Sequence, residues 1–206
     1  MKIRNVFIIA LVLVVAVIIF YSFQGKDLGN EYEAEIRKER QAKDDYMRSS
    51  DESPFGEEKK NCKGLNYFPI DFNYRISARL ISIENKKVVV LPTSDNLEKK
   101  YLEYATAEFE LNGEPSKLLI LEIMEEGPYR GTLFLAFADA TSAKETYGAG
   151  RYLDVKKVPG ASSIILDFNQ SYNPYCAYSQ KFSCPFPPKE NVLKVAVRAG
   201  EKNYHD

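Results

Sequence analysis

The sequence predicts a mainly β protein, an antiparallel β-sandwich or open barrel, preceded by an N-terminal transmembrane helix and a juxtamembrane helix. Three observations carry this expectation. Apolar and polar residues alternate with period two over residues 74–80, as in a half-buried strand. Asn112-Gly113 stands between apolar runs and supplies the positive φ values of a tight hairpin turn. An unbroken apolar run over residues 6–21 follows a basic start containing Lys2 and Arg4.

Taken in chain order, the first element is that apolar run, VFIIALVLVVAVIIFY. About sixteen to eighteen helical residues come close to the roughly 30 Å of a hydrocarbon core. A cleaved signal peptide shares this pattern, but cleavage favours small residues in an A-x-A-like arrangement, and residues 21–25 read YSFQG. Residues 1–25 therefore read as a membrane anchor. Lys2 and Arg4 before the span, against Asp27, Glu31, Glu33 and Glu35 after it, place the N-terminus in the cytoplasm. The bulk of the chain then lies outside, in the periplasm or at the cell surface.

Residues 26–52 read as juxtamembrane helix and linker. The stretch 31–48 has no Gly or Pro and spaces Tyr32, Ile36 and Arg40 by four, giving an exposed helix with a thin apolar stripe. Pro54 and Gly56, in the polar stretch 49–60, end it. Residues 53–206 read as one all-β domain. Its expected strands are 74–80, 87–91, the hairpin 109–111 and 117–123, and then 133–138, 163–168 and 192–197, with Gly127-Pro128 and Pro159-Gly160 between them. The 14 Tyr and 12 Phe of the chain supply apolar bulk for its core.

Composition excludes several function classes. A net charge of −1 provides no basic field for nucleic acid. The only His is His205, next to the C-terminus, which removes triad chemistry and His-based metal cages. Acid–base chemistry would have to use carboxylates, Tyr or Lys, and Asp139, Asp154, Asp167 and Glu201 fall at ends of expected strands.

Two segments concentrate residues suited to chemistry. Residues 139–154, DATSAKETYGAGRYLD, place Gly148, Gly150 and Arg151 between Tyr147 and Tyr152. Two Gly allow close approach or positive φ, and Arg151 can clamp a carboxylate or phosphate, or else pair with Asp139 or Asp167 in a bulged turn. The Gly148-Ala149-Gly150 fragment is neither a phosphate loop nor a dinucleotide fingerprint. Residues 167–190 form a long loop with four Pro, two Asn, three Tyr, and Cys176 and Cys184. Outside an oxidising membrane the two Cys can pair, closing a ring worth about 2.5 kcal/mol. Two unpaired thiols, a two-thiolate metal site completed by Asp167 or another oxygen, or redox catalysis despite a spacing that is not C-x-x-C are the alternatives. Cys62 is either a free or bridging thiol or a buried inert one.

The residues also carry a family resemblance. The runs Leu133-Phe134, Thr146-Tyr147-Gly148-Ala149-Gly150-Arg151-Tyr152-Leu153, Asp167-Phe168-Asn169, Tyr172-Asn173-Pro174, Cys176-Ala177-Tyr178, Cys184-Pro185, Glu190-Asn191 and Ala199-Gly200-Glu201 occur in order, after Ser53-Pro54-Phe55 and Tyr67-Phe68-Pro69. This pattern resembles the domain of unknown function 1684 family of bacteria and archaea. The resemblance implies that 53–202 is one domain and that both loops belong to its defining pattern. It implies no activity.

The expected role is a membrane-anchored binding or interaction module for a small molecule or protein, with no nucleic-acid partner. The expected site comprises Asp139, Tyr147, Arg151, Tyr152, Asp167, Asn169, Asn173 and Glu201. No motif points to a resident metal, and the sequence leaves the cofactor open. The alternatives are an enzyme using Arg151 with Asp139 and Asp167 in one cleft, and a purely structural domain.

Overall fold

The computed structural model describes residues 13, 14 and 29–204. The expected membrane anchor lies outside the described residues except for Leu13 and Val14, which are helical and exposed. Among the described residues no helix is long and apolar enough to cross a membrane. The chain divides into two compact units, Met1–Ala42 and Lys43–Asp206.

Helix α1 occupies residues 29–49, a stretch without Pro whose interior is free of Gly. In the first unit its exposed surface carries the i,i+4 pair Glu33–Arg37, with Arg37 Nε 3.1 Å from Glu33 Oε1. From Lys43 onward its last turns belong to the second unit.

The second unit is built on eight strands: β1 (Arg75–Ser82), β2 (Val88–Pro92), β3 (Glu98–Leu111), β4 (Glu114–Ile123), β5 (Leu133–Phe134), β6 (Ala136–Phe137), β7 (Arg151–Tyr152) and β8 (Ser163–Asp167). Six form one antiparallel sheet in the order β5-β4-β3-β1-β8, with β2 also pairing β3. The sheet ends at β5 and β8 and is therefore open, and the second sheet is only the pair β6–β7. The hairpin turn at Asn112-Gly113 takes φ of 53° and 78°, as its sequence requires.

A bulge in β3 divides the core. Glu103 faces Leu121 and Ala105 faces Ile120, so Tyr104 is an extra residue on β3. Past the bulge, Ala107, Phe109 and Leu111 join Leu118, Ile120, Ala78, Leu166 and Phe168 in the main core. Before it the parity is reversed, and Tyr101 joins Leu91 and Leu121 in a small cluster with Leu119, Ile123 and Phe134.

The main core is closed by irregular chain rather than by a second full sheet. Leu135, Phe137, Leu153, Leu193, Val197 and Ala199 supply that side. Two expected strands are corrected here. The run 133–138 changes partner at Leu135: Phe134 faces Leu121 of β4, and Ala136 faces Tyr152 of β7. The run 192–197 is no strand: a single bridge joins Val192 to Ala138, backbone bonds to Ala138 and Ala140 reach Leu193 and Val195, and at Val197 the side chains of Arg151 and Asp139 take over.

Candidate functional site

Arg151 stands at the start of β7, directly after Gly150, whose φ is +88°. A Cβ on Gly150 would lie 2.6 Å from the Phe137 carbonyl oxygen, so only Gly lets this turn press against β6. The turn aims Arg151 inward, where it is 1% exposed. Its Nη2 donates to Asp139 Oδ2 at 2.8 Å and to the Val197 carbonyl at 2.8 Å, and its Nη1 donates to the carbonyls of Ala199 and, at 3.1 Å, Glu201. The guanidinium also lies over the Phe137 ring, 5.2 Å from its centroid.

Asp139 completes this arrangement. Its Oδ1 accepts from Thr141 N at 2.8 Å, Thr141 Oγ1 at 2.7 Å and Val197 N at 3.1 Å. Burial draws the Arg151 guanidinium below its usual range, and the Asp139 carboxylate opposes that. Between them the two side chains bond to alternate residues of segment 197–201, as an adjacent strand would. Both Nη atoms of Arg151 thus donate to buried protein acceptors, as in the expected pairing with Asp139, while its Nε is buried without a hydrogen-bond partner.

Asp167 is not part of this pair. It ends β8 opposite Arg75, with Arg75 Nε 3.7 Å from its Oδ2, and it accepts from Asn169 N at 3.1 Å. Asn169 instead ties this corner to Asp71, accepting from Asp71 N at 3.0 Å and donating to Asp71 O at 2.7 Å.

The two expected loops do meet, through tyrosines. Tyr147 Oη lies 3.7 Å from Cys176 Sγ as its donor. Tyr152 Oη donates to Pro185 O at 2.6 Å, its ring packs edge-on to Tyr172 at 6.0 Å, and Tyr172 Oη donates to Asp154 at 2.8 Å.

A second buried polar centre surrounds Glu201. Its side chain is 1% exposed; Oε1 is 2.6 Å from Lys43 Nζ, and Oε2 accepts from Asn173 N at 2.9 Å and from the Tyr178 hydroxyl. Lys43 also lies 4.3 Å above the Tyr172 ring. Burial, and then the Glu201 carboxylate, push the Tyr178 phenol well above its usual range, so its hydroxyl remains a donor. Gly200 makes the approach possible: at φ +74°, a Cβ there would meet Ser171 Oγ at 2.1 Å.

The other edge of the Tyr178 ring faces a cavity of about 580 Å³, lined also by Phe55, Glu58, Asn61, Cys62, Lys63, Gly64, Asn66 and Tyr204. Phe55, Tyr178 and Tyr204 form a mutual triad with centroids 5.0–5.5 Å apart. The turn beneath is gripped by α1, where Arg48 Nη2 donates to Lys63 O at 3.1 Å and Asp44 accepts from Leu65 N at 3.0 Å. Cys62 is a buried free thiol in this wall.

Cys176 and Cys184 are adjacent free thiols, not the disulfide expected from their spacing. Cys176 N donates to Cys184 Sγ at 3.2 Å. Among the described residues no group of three His, Cys, Asp or Glu could hold a metal ion, so Asp167 does not complete a metal site with the two thiols.

The sequence reading missed Lys43, Phe55, Tyr178 and Tyr204 as site residues. The only signal for Lys43 was its place in an exposed-looking helix, which hides a buried partner 158 residues away in sequence. The aromatic triad draws on three separate segments that share no spacing.

A solution NMR structure of an uncharacterised protein from Haloarcula marismortui is similar, with 35% identity and a TM-score of 0.66, over 87% of this chain and 98% of that one. No curated protein matches the chain. Residues 60–202 match the family described as proteins of unknown function, DUF1684. The arrangement of Arg151, Asp139 and Glu201 that closes the irregular half is thus found in a chain that belongs to the DUF1684 family.

Proposed function

We propose that the domain is a binding module for a small organic molecule carrying an aromatic or other flat apolar ring. The observation that carries this reading is the cavity of about 580 Å³ walled by Phe55, Tyr178 and Tyr204, a size within the range of small-molecule sites. Its wall is pre-organised: the Tyr178 hydroxyl is held by Glu201, and Glu201 by Lys43 and Asn173. A ligand would then meet a fixed ring rather than having to order one. Glu58, Lys63, Asn61 and Asn66 at the same cavity provide both signs of charge and amide groups to orient polar substituents. Two of the residues expected at the site, Asn173 and Glu201, act here from behind the wall.

The reading places this module outside the cytoplasm on an anchor formed by residues 1–25, which rests on their apolar run and basic leader.

Saturation-transfer and amide-shift NMR on the full chain in detergent, with phenol, indole and benzoate as probes, tests the pocket. The expected outcome is shifts confined to residues 55–66, 178 and 204, lost on Phe55→Ala. Absence of shifts there for all three probes, or shifts that survive Phe55→Ala unchanged, would overturn it.

A further inference from the structure

The loop that carries Tyr178 contains a second chemical feature, which the pocket does not use. Cys176 lies in a short 3-10 turn, Tyr175–Ala177, after Pro174, and Cys184 precedes Pro185. The seven-residue excursion between them folds back so that Cys184 Sγ receives the Cys176 amide at 3.2 Å. Ser94, from the turn between β2 and β3, fixes the Cys184 backbone by accepting its N–H at 3.1 Å while donating to Phe182 O at 3.0 Å. Cys184 is buried, whereas Cys176 is half-buried. The Tyr147 hydroxyl points at the Cys176 sulfur from the neighbouring loop.

We propose that Cys176 and Cys184 form a thiol–disulfide exchange site whose co-reactant is a low-molecular-weight disulfide, with Cys176 as the attacking thiol and Cys184 as the resolving thiol. The Cys176 thiolate attacks one sulfur of R–S–S–R, forming a mixed disulfide and releasing one R–S⁻, which takes a proton from water. Cys184, having lost its own proton to water, then attacks Cys176 Sγ and displaces the second R–S⁻. The two protein thiols are oxidised to one disulfide, and the small disulfide is reduced to two thiols.

The assignment of roles follows from access and from hydrogen bonding. The Cys184 thiol donates to Cys176, and Tyr147 adds a second donor, which together draw the Cys176 thiol down to about 6. Bonding to Cys176, together with burial, pushes Cys184 up, so it stays protonated until its partner has reacted. A thiol lowered this far is a thiolate at pH 6 more than a hundredfold more often than an ordinary thiol. Weaker intrinsic nucleophilicity takes back about tenfold, which leaves a net advantage of about tenfold at that pH.

The test treats the full chain with oxidised glutathione at pH 6 and maps the products by mass under non-reducing conditions. A Cys176–Cys184 bond formed at least about tenfold faster than glutathione adds to a model peptide thiol is expected, with Cys62 left alkylatable. Cys184→Ser should stop at glutathione bound to Cys176. In the unsubstituted protein, iodoacetamide should modify Cys176 with a half-maximal rate near pH 6 and level off above it, a readout that needs no variant. An ordinary thiol profile centred near pH 8.5, or accumulation of glutathione on Cys184 or Cys62 instead, would overturn the proposal.

Discussion

Along the β3–β4 hairpin, backbone satisfies backbone from Tyr101↔Ile123 to Leu111↔Glu114, and the side chains alternate between the core and the outer face. Segment 197–201 instead obtains bonds from two side chains: Arg151 donates to the carbonyls of Val197, Ala199 and Glu201, and Asp139 accepts from Val197 N. Asn191 does the same for β4, accepting from Leu119 N at 2.6 Å and donating to Leu119 O and Ala136 O, each at 2.8 Å. Buried amides and carbonyls must be paired somewhere, and in the irregular half the partners are specific polar side chains. The difference lies in how replaceable each contribution is. A sheet position tolerates many apolar residues of similar volume, whereas a side chain standing in for a strand tolerates almost none.

Arg151→Ala should therefore produce the largest loss of stability. It would leave Asp139 buried without its counter-charge and the Val197 and Glu201 carbonyls without their Arg151 donor, with Ala199 O keeping Ser171 Oγ, a loss of about 3–5 kcal/mol. Urea unfolding of residues 43–206, the compact second unit, measures it. A shift below about 1 kcal/mol would show that segment 197–201 does not depend on Arg151. In a cycle with Asp139→Ala the double variant should lose less than the sum of the two single losses, because each single change strands the other partner.

Asn191→Ala comes next, at about 2–3 kcal/mol, since it removes three bonds at a site with no exposure. Ile120→Val, at an equally buried sheet position, should cost only about 1 kcal/mol. The comparison is sharpened by reading both in the same denaturant series. Equal losses would mean that the amide is no more specific than an aliphatic contact.

The same contrast decides what the sequence could reveal. Period-two alternation exposed β1, the Asn112-Gly113 turn exposed the β3–β4 hairpin, and a short apolar run exposed β8. Alternation missed the first half of β3, EKKYLEY, since the bulge at Tyr104 shifts parity and the strand begins on charged residues. The apolar run 192–197 read as a strand, but its backbone bonds to Ala138 and Ala140 stay isolated and side chains take over at Val197. Gly150 and Arg151 were legible as a tight turn bearing a cation. Whether that cation faced solvent or core was not, since Val197, Ala199 and Glu201 lie about fifty residues onward. Asn191 was visible only within the family pattern, and nothing in its local sequence distinguishes a structural amide from a turn residue.

The smallest expected effect belongs to an ion pair on the sheet, and it isolates burial as the variable. Arg79 of β1 faces Glu108 of β3 directly in register, and their side chains pair across the strands. The partners match Arg151 and Asp139 in charge, and the pairing is again between facing elements. The surroundings differ: Arg79 is 71% and Glu108 42% exposed, against 1% and 0% for the buried pair. In water both charges are solvated before and after the pair breaks, and holding two long side chains together costs rotamer entropy that offsets most of the Coulomb gain. Arg79→Ala should thus change stability by less than about 0.5 kcal/mol, and that residue should vanish as salt is raised beyond physiological strength. Urea midpoints at low and high salt measure both quantities. A salt-independent loss above about 1.5 kcal/mol would mean that the Arg79 stem, rather than its charge, packs on the outer face of the sheet.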